Sequence, residues 1–146
     1  MTGPASVRLV LAARPRGFSL IEVLVAVLVV AVLAAVALPS YQQSIRRSSR
    51  EAAQAQLLEL AGLQEKIFLN ANAFSSDISS AYNGNASGGL GATTGRTADG
   101  RYTLSVSVSG ASYTLTARPV SGTTQAGDGN LSIDSTGKRT WGDKAW

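Results

Sequence analysis

The chain contains 146 residues and carries a formal net charge of +4, a size that suits one small domain. It has neither cysteine nor histidine, which excludes disulfide frameworks, thiolate or histidine metal sites, and catalysis by Ser-His-Asp or Cys-His groups. No phosphate-binding loop and no dinucleotide motif occurs in the sequence. We therefore expect a protein that is not an enzyme and that uses no cofactor and no metal.

An apolar run near the N-terminus dominates the hydropathy pattern. Between Phe18 and Leu38 only Ser19 and Glu22 are polar, and a helix of this length can span a bilayer. Basic residues precede the run and no acidic residue does, so the positive-inside rule predicts a cytoplasmic N-terminus. The charges of the remaining chain nearly balance, which weakens any inference from a basic composition to nucleic acid.

A processing motif precedes the apolar run. The segment 17–26, GFSLIEVLVA, resembles the N-terminal signal of type IV pilins and pseudopilins. The resemblance implies that a prepilin peptidase cuts between Gly17 and Phe18, that the leader 1–17 is removed, and that Phe18 becomes N-methylated while the apolar helix is retained. The leader is longer than is usual for a type IVa pilin.

Glu22 is the one acidic residue of the apolar segment. A carboxylate at the centre of a membrane helix costs about 2.5–3.5 kcal/mol and less near the interface, so we expect a cationic partner for it. After cleavage the nearest cation is the new α-amine of Phe18. The resemblance implies that the amine of a neighbouring subunit is used as well, which would give Glu22 a role in assembly by setting the axial register of a filament.

The helix is expected to continue beyond the membrane, over residues 18–70, with 18–38 as its transmembrane part. Pro39 predicts a kink, and type IVa pilins resemble this chain in having a proline there. Three arginines, at positions 46, 47 and 50, indicate a solvated helix face. Further on, one stripe recurs at helical spacing and predicts a face that packs on a sheet: Ala53, Leu57, Leu60, Gln64 and Ile67.

The remainder, residues 71–146, predicts a globular head. Residues 71–100 are rich in Gly, Ser, Thr and Asn and predict a long αβ-loop, with candidate anchors at Phe74, Ile78, Tyr82 and Leu90. Within 101–146, alternating patterns over 102–108 and 113–118 predict a hairpin that ends at Pro119, and two shorter strands follow. The expected fold is α+β, the type IV pilin roll: a long N-terminal transmembrane helix packed on an antiparallel sheet of about four strands.

The sheet region carries a second resemblance. The order YTLTARP, GDG and LSIDSTGK within residues 113–138 is similar to minor pilins of the PilE type. Those proteins often close the C-terminal loop with a cysteine pair; this chain has none, so hydrogen bonds and packing must hold the loop. The resemblance implies a structural subunit, expected to be a minor pilin, of a type IV pilus that serves adhesion, twitching motility or pilus biogenesis.

The implied partners are other pilin subunits in a helical filament, the prepilin peptidase and the inner-membrane assembly machinery. The implied location is the bacterial inner membrane, single-pass with the N-terminus in the cytoplasm, before assembly and the extracellular pilus afterwards. One alternative is a pseudopilin of a type II secretion system.

The other alternative is a DNA-binding minor pilin for uptake in natural transformation. It is not favoured, because basic and acidic residues nearly balance after residue 70. Its candidate phosphate contacts are Arg118, Lys138 and Arg139, and we expect Trp141 to pack in the core or at a sheet edge rather than to stack on bases. The residues that could supply phosphate contacts or stacking are Arg96, Arg101, Arg118, Lys138, Arg139, Lys144, Trp141 and Trp146.

Oxygen-bearing side chains alternate along the segment 128–134, at Asp128, Asn130, Ser132 and Asp134. They resemble a calcium loop, but the required glycine and distal glutamate are missing. The intervening Leu131 and Ile133 fit a strand instead, so we expect no metal there.

Overall fold

The computed structural model describes residues 17–146. The leader expected over 1–17 lies outside the described residues except for its last one, Gly17. The described chain holds one long helix, α1, and five strands. It divides between Leu38 and Pro39 into two compact units.

The first unit contains the apolar part of α1, which spans Leu20–Ala71. Its large apolar side chains are exposed, from Phe18 at 80% to Leu38 at 57%. Among residues 17–146, α1 is the one helix that is long and apolar enough to cross a membrane. Because so much exposed apolar surface is unfavourable in water, this segment needs lipid or other helices around it. Pro39 lies inside α1, and the kink expected there stays a prediction.

The second unit is built on the part of α1 that follows Pro39. All five residues of the predicted helical stripe are buried, and Ser49 and Ala61 join them, so the predicted face is confirmed. The helix ends at Ala71, where Asn72 adopts a positive φ of 50°. Its backbone N–H donates to the carbonyl of Phe68 at 2.8 Å. A left-handed residue at this position is a common helix stop.

The sheet is an antiparallel meander in which each strand pairs with the next along the chain. The expected number was about four strands, and the structure has five. The fifth was not predicted, because a two-residue strand is too short to show an alternating pattern. Pro119 ends the second strand, as predicted. The strands are β1 Tyr102–Ser109, β2 Ser112–Pro119, β3 Leu131–Asp134, β4 Arg139–Trp141 and β5 Lys144–Ala145.

One face of the sheet forms a single hydrophobic core with the helical stripe. The buried strand residues alternate with exposed or half-buried serine, threonine and charged residues, as expected of a sheet with one solvated face. This confirms an α+β fold in which the helix packs on an antiparallel sheet. The strand residues that form the core are Tyr102, Leu104, Tyr113, Leu115, Ala117, Leu131 and Ile133.

The αβ-loop is held to the helix by Gln64, whose side chain is fully buried. Its amide donates to the carbonyl of Ser75 at 2.7 Å and accepts from the N–H of Ser75 at 2.9 Å. Phe74 and Leu90 are buried, as predicted, and Ile78 packs on the core. The prediction was wrong for Tyr82, which is 39% exposed. In an irregular loop the sequence has no periodic pattern that indicates which side chains face the core.

Candidate functional site

The expected cleavage position lies just before α1. Gly17, Phe18 and Ser19 are exposed and not helical, and the helix starts at Leu20. A Cβ added to Gly17 would meet no described atom within 4 Å. The fold of the described residues therefore does not require glycine at this position, and an extended, accessible segment is what a peptidase needs.

Glu22 occupies the first turn of α1. Its backbone N–H donates to the carbonyl of Ser19 at 3.0 Å, and that of Val23 donates to the same oxygen at 3.2 Å. Ser19 followed three residues later by Glu22 is the pattern of a helix capping box. A carboxylate there also complements the positive end of the helix dipole, so the fold tolerates this acid in an otherwise apolar segment.

The head contains a polar cluster centred on Asp128, which we call the Asp128 cluster: Arg50, Tyr102, Gln125 and Asp128. Arg50 donates from Nε to Oδ2 of Asp128 at 2.8 Å and from its terminal nitrogen to Oδ1. The Tyr102 hydroxyl donates to Oδ2 at 2.8 Å and the Gln125 amide at 2.7 Å. The cluster therefore ties α1 to the loop between β2 and β3.

Neighbouring contacts strengthen this tie. Arg46 donates to the carbonyl of Thr124, and Gln125 donates to the carbonyl of Arg46 at 3.2 Å. The indole N–H of Trp141 donates to the backbone carbonyl of Asp128. Hydrogen bonds therefore hold the β2–β3 loop to α1 and to β4. The expectation of a solvated arginine face was wrong for Arg50, because this side chain forms an ion pair with Asp128. The sequence carries no sign of this pair, since the two residues are 78 positions apart.

The environment of Asp128 shifts two ionisation equilibria. Burial alone would raise the pKa of Asp128, but the hydrogen bonds from Arg50, Tyr102 and Gln125 outweigh it and lower the pKa below its usual value. Burial, together with the hydrogen bond to Asp128, raises the pKa of Tyr102. Both shifts favour the ionised carboxylate and the neutral phenol at neutral pH, which is the state that the hydrogen bonds require.

The calcium-like alternation over 128–134 does not form one oxygen cluster. Asp128 faces Arg50, Ser132 shares a hydrogen bond of 2.7 Å with Thr140, and Asp134 accepts from the N–H of Thr136 at 2.9 Å. Within residues 17–146, no group of three or more acidic side chains could hold a metal ion. These oxygens serve the loop and the sheet.

The three candidate DNA contacts do not share one surface, because Arg118 lies away from Lys138 and Arg139. Arg118 is exposed on β2 opposite Thr103, on the solvated face of the sheet. Arg139 pairs with the buried Ile133 and so projects from the opposite face, the one toward α1. Lys138 lies in the turn between β3 and β4. This turn follows Asp134, which pairs with Thr114 near the start of β2, whereas Arg118 lies near the end of β2. One flat patch cannot contain all three.

Two tryptophans and two cations gather instead on the β4–β5 hairpin. We call this set the C-terminal aromatic face: Arg139, Trp141, Lys144 and Trp146. Trp141 is half-buried and packs against the core, on a strand that pairs with β3 on one side and β5 on the other. The guanidinium carbon of Arg50 lies 3.6 Å from the centre of the Trp141 ring. The guanidinium group of Arg139 approaches the Trp146 ring, and the ammonium group of Lys144 approaches the Trp141 ring. The sequence alone named these residues but could not show that they meet.

A family model described as "Type IV minor pilin ComP, DNA uptake sequence receptor" matches residues 39–132, more than half of the chain. The chain belongs to this family of type IV minor pilins. A second model, the prokaryotic N-terminal methylation motif, matches residues 13–38. The two matches meet where the apolar segment ends, so the expected recognition of a minor pilin is confirmed.

Other comparisons add less. The high-resolution structure of a type IV pilin from Shewanella oneidensis is similar, with a TM-score of 0.45 and 18% identity over 72% of this chain and 97% of that one. A search of the curated proteins found no match. Membership of the family makes this chain a membrane-anchored structural pilin that assembles with other pilins and with the pilus machinery.

Proposed function

We propose that this minor pilin is cut between Gly17 and Phe18 by the prepilin peptidase, methylated at Phe18, and incorporated into an extracellular type IV pilus. The observation that carries the proposal is an exposed, non-helical Gly17–Ser19 segment directly before a stretch of helix whose large apolar side chains are exposed within residues 17–146. The methylation motif that matches residues 13–38 supports it. Before cleavage, the apolar segment anchors the chain in the inner membrane.

Glu22 then acts in assembly. A carboxylate one turn from a free α-amine has a cationic partner available, and in a bundle of identical helices the amine of a neighbour can serve equally. Pro39 marks the end of the bundled segment, where the proposed kink redirects the helix. The apolar helices fill the filament interior and the heads coat it.

The first test is the intact mass of the protein in pili sheared from cells. The expected mass is that of Phe18–Trp146 with one methyl group. Gly17→Val is expected to stay uncut in the membrane, although no described neighbour is displaced by the new side chain. Glu22→Ala should be cut and yet be absent from sheared pili, whereas Glu22→Asp, which keeps the charge, should retain part of the assembly.

Each failure has a distinct meaning. An uncut wild-type chain would refute the processing proposal. A processed chain that never reaches the sheared fraction would instead favour the pseudopilin alternative. Normal assembly of Glu22→Ala would remove the proposed role of that carboxylate without affecting the cleavage site.

A second proposed function is DNA binding by the head during natural transformation. The description of the matching family as a DNA uptake sequence receptor favours it, although the nearly balanced charges of the head did not favour DNA binding. Of the sequence candidates, Lys138 and Arg139 are neighbours at one end of the sheet, and Arg118 is the rival contact on the other face.

Full-length processed protein in detergent micelles tests this directly. A short fluorescein-labelled duplex prepared from the genome of the source bacterium is titrated with protein at several salt concentrations. We expect an affinity that falls steeply as salt rises, because phosphate contacts release counterions, and weaker binding to unrelated DNA of equal length. Absence of binding at the lowest salt would refute DNA binding and leave the pilus subunit intact.

A further inference from the structure

The register of the β4–β5 hairpin places the C-terminal aromatic face on one side of the sheet. Trp141 is paired with Lys144 and Thr140 with Ala145, so the next position along β4, Arg139, comes opposite Trp146. Alternate residues of a strand share a face. Each cation therefore stands beside an indole of the opposite strand.

The distances agree with this placement. The guanidinium carbon of Arg139 lies 5.4 Å from the centre of the Trp146 ring, and the ammonium of Lys144 lies 5.6 Å from that of Trp141. Both separations are within about 6 Å, the range of cation–π attraction. Both cations are exposed, while both rings are half-buried.

The rings are fixed from behind. Trp141 stacks with Arg50 and donates its indole N–H to the backbone carbonyl of Asp128. Gly129, with a φ of +94°, passes so close that an added Cβ would lie 3.3 Å from the same indole nitrogen. Trp146 packs against the core. The indoles are thus supports for the cations and not open platforms for stacking bases.

The two cations are also available to an outside anion. In the part of the chain that the structure describes, the one ion pair is Arg50–Asp128, so neither Arg139 nor Lys144 has a carboxylate within 4 Å. The nearest acid in sequence, Asp143, is exposed in the hairpin turn. Long cationic side chains lose rotamer freedom when they bind, and a cation already held against a ring loses less.

We propose that the C-terminal aromatic face contacts the phosphate backbone of duplex DNA, with Arg139 and Lys144 as the contacting cations and Trp146 and Trp141 as positioning residues. The inference rests on the DNA binding proposed above and names the surface that carries it out. It differs from the sequence expectation of Arg118, Lys138 and Arg139, since only Arg139 is kept, Lys144 is added, and the tryptophans orient the cations.

The experiment uses the full processed chain in detergent micelles and the labelled duplex. Arg139→Gln and Lys144→Gln should each reduce the slope of log affinity against log salt concentration by about 0.9, the loss of one phosphate contact. Lys66→Gln, which removes one exposed charge from α1, is the matched control and should leave the slope unchanged.

Trp146→Leu separates positioning from charge. It keeps both cations, so the slope should stay at the wild-type value while the affinity falls several-fold. Trp146→Phe keeps an aromatic face for Arg139 and should restore most of that affinity. Both tryptophans of the chain belong to this hairpin, so tryptophan emission reports on it alone and should change when duplex is added.

The outcomes distinguish the two proposals. If wild-type protein binds duplex but Arg139→Gln and Lys144→Gln keep its slope and the emission is constant, this surface is refuted while DNA binding stands. A larger loss of slope in Arg118→Gln would place the contact on the opposite face of the sheet and would also overturn the inference. If the wild type does not bind duplex at any salt concentration, both proposals fail.

Discussion

Replacing Asp128 with asparagine tests whether the Asp128 cluster holds the β2–β3 loop to α1. Asparagine has almost the same shape, so the change removes the negative charge without opening a cavity. Arg50 then loses its ion-pair partner, and the new amide group points a donor at other donors. The hydroxyl of Tyr102 and the amide of Gln125 lose a charged acceptor as well.

The size of the effect follows from burial. The Asp128 side chain is 8% exposed and that of Arg50 is 21% exposed. Removing one partner of a fully buried ion pair costs about 3–5 kcal/mol. Because water can still reach part of Arg50, we expect a smaller loss, about 2–3 kcal/mol in the free energy of unfolding. For a unit of roughly 100 residues this corresponds to a fall in Tm of roughly 8–20 °C.

The assay is thermal and denaturant unfolding of the full chain in detergent, followed by tryptophan emission, because both tryptophans lie in the head. Asp143→Asn is the matched control: it removes an exposed charge from the hairpin turn and should change stability by less than about 0.5 kcal/mol. A loss below about 1 kcal/mol for Asp128→Asn, or an equal loss in the control, would refute the assigned role.

The same cluster predicts a pH dependence. The pKa of Asp128 is lower in the folded chain than its usual value, so its contribution is present above the unfolded pKa of about 3.9 and is lost as pH falls through the folded pKa. The stability advantage of wild type over Asp128→Asn should therefore be constant from roughly pH 5 to 8 and shrink below about pH 4. An advantage that persists unchanged at pH 2 would contradict this.

Two other parts of the head give further predictions. Gly89→Ala should strongly destabilise the αβ-loop, because the added Cβ would lie 2.1 Å from the carbonyl oxygen of Ser80. Gly62→Ala meets nothing within 4 Å and should stabilise α1 by about 0.5–1 kcal/mol. The two variants should therefore shift Tm in opposite directions. Gln64→Leu leaves the N–H and carbonyl of Ser75 without their partner and should cost about 2–4 kcal/mol, with faster amide exchange in the loop.

Much of the fold was predictable because its signals are local. The helical stripe around Leu57 repeats every three to four residues, and the hairpin over 102–119 alternates with a period of two; each pattern depends only on neighbours in sequence. The apolar segment and the motif at Gly17 are likewise continuous in the chain. A short strand such as β5 has no room for a period, which is why the sheet has one strand more than expected.

The contacts of the head were not predictable, because they join distant positions. Arg50 looked like one of three solvated arginines until the fold brought Asp128 to it across 78 residues. Arg118 and Arg139 looked equivalent as cations until strand register assigned them to opposite faces. No rule of sequence spacing predicts contacts between such residues, because the complete sheet determines which of them come together.

The sequence by itself determined that this chain is a pilin with an N-terminal membrane helix, because the motif at residues 17–22 and the apolar run after it act through local chemistry. Only the tertiary structure decided how the β2–β3 loop is held and which cations share a surface. The physical reason is that hydrogen bonds and cation–π contacts act over a few ångströms, and only the packed sheet brings Asp128 to Arg50 and Arg139 to Trp146.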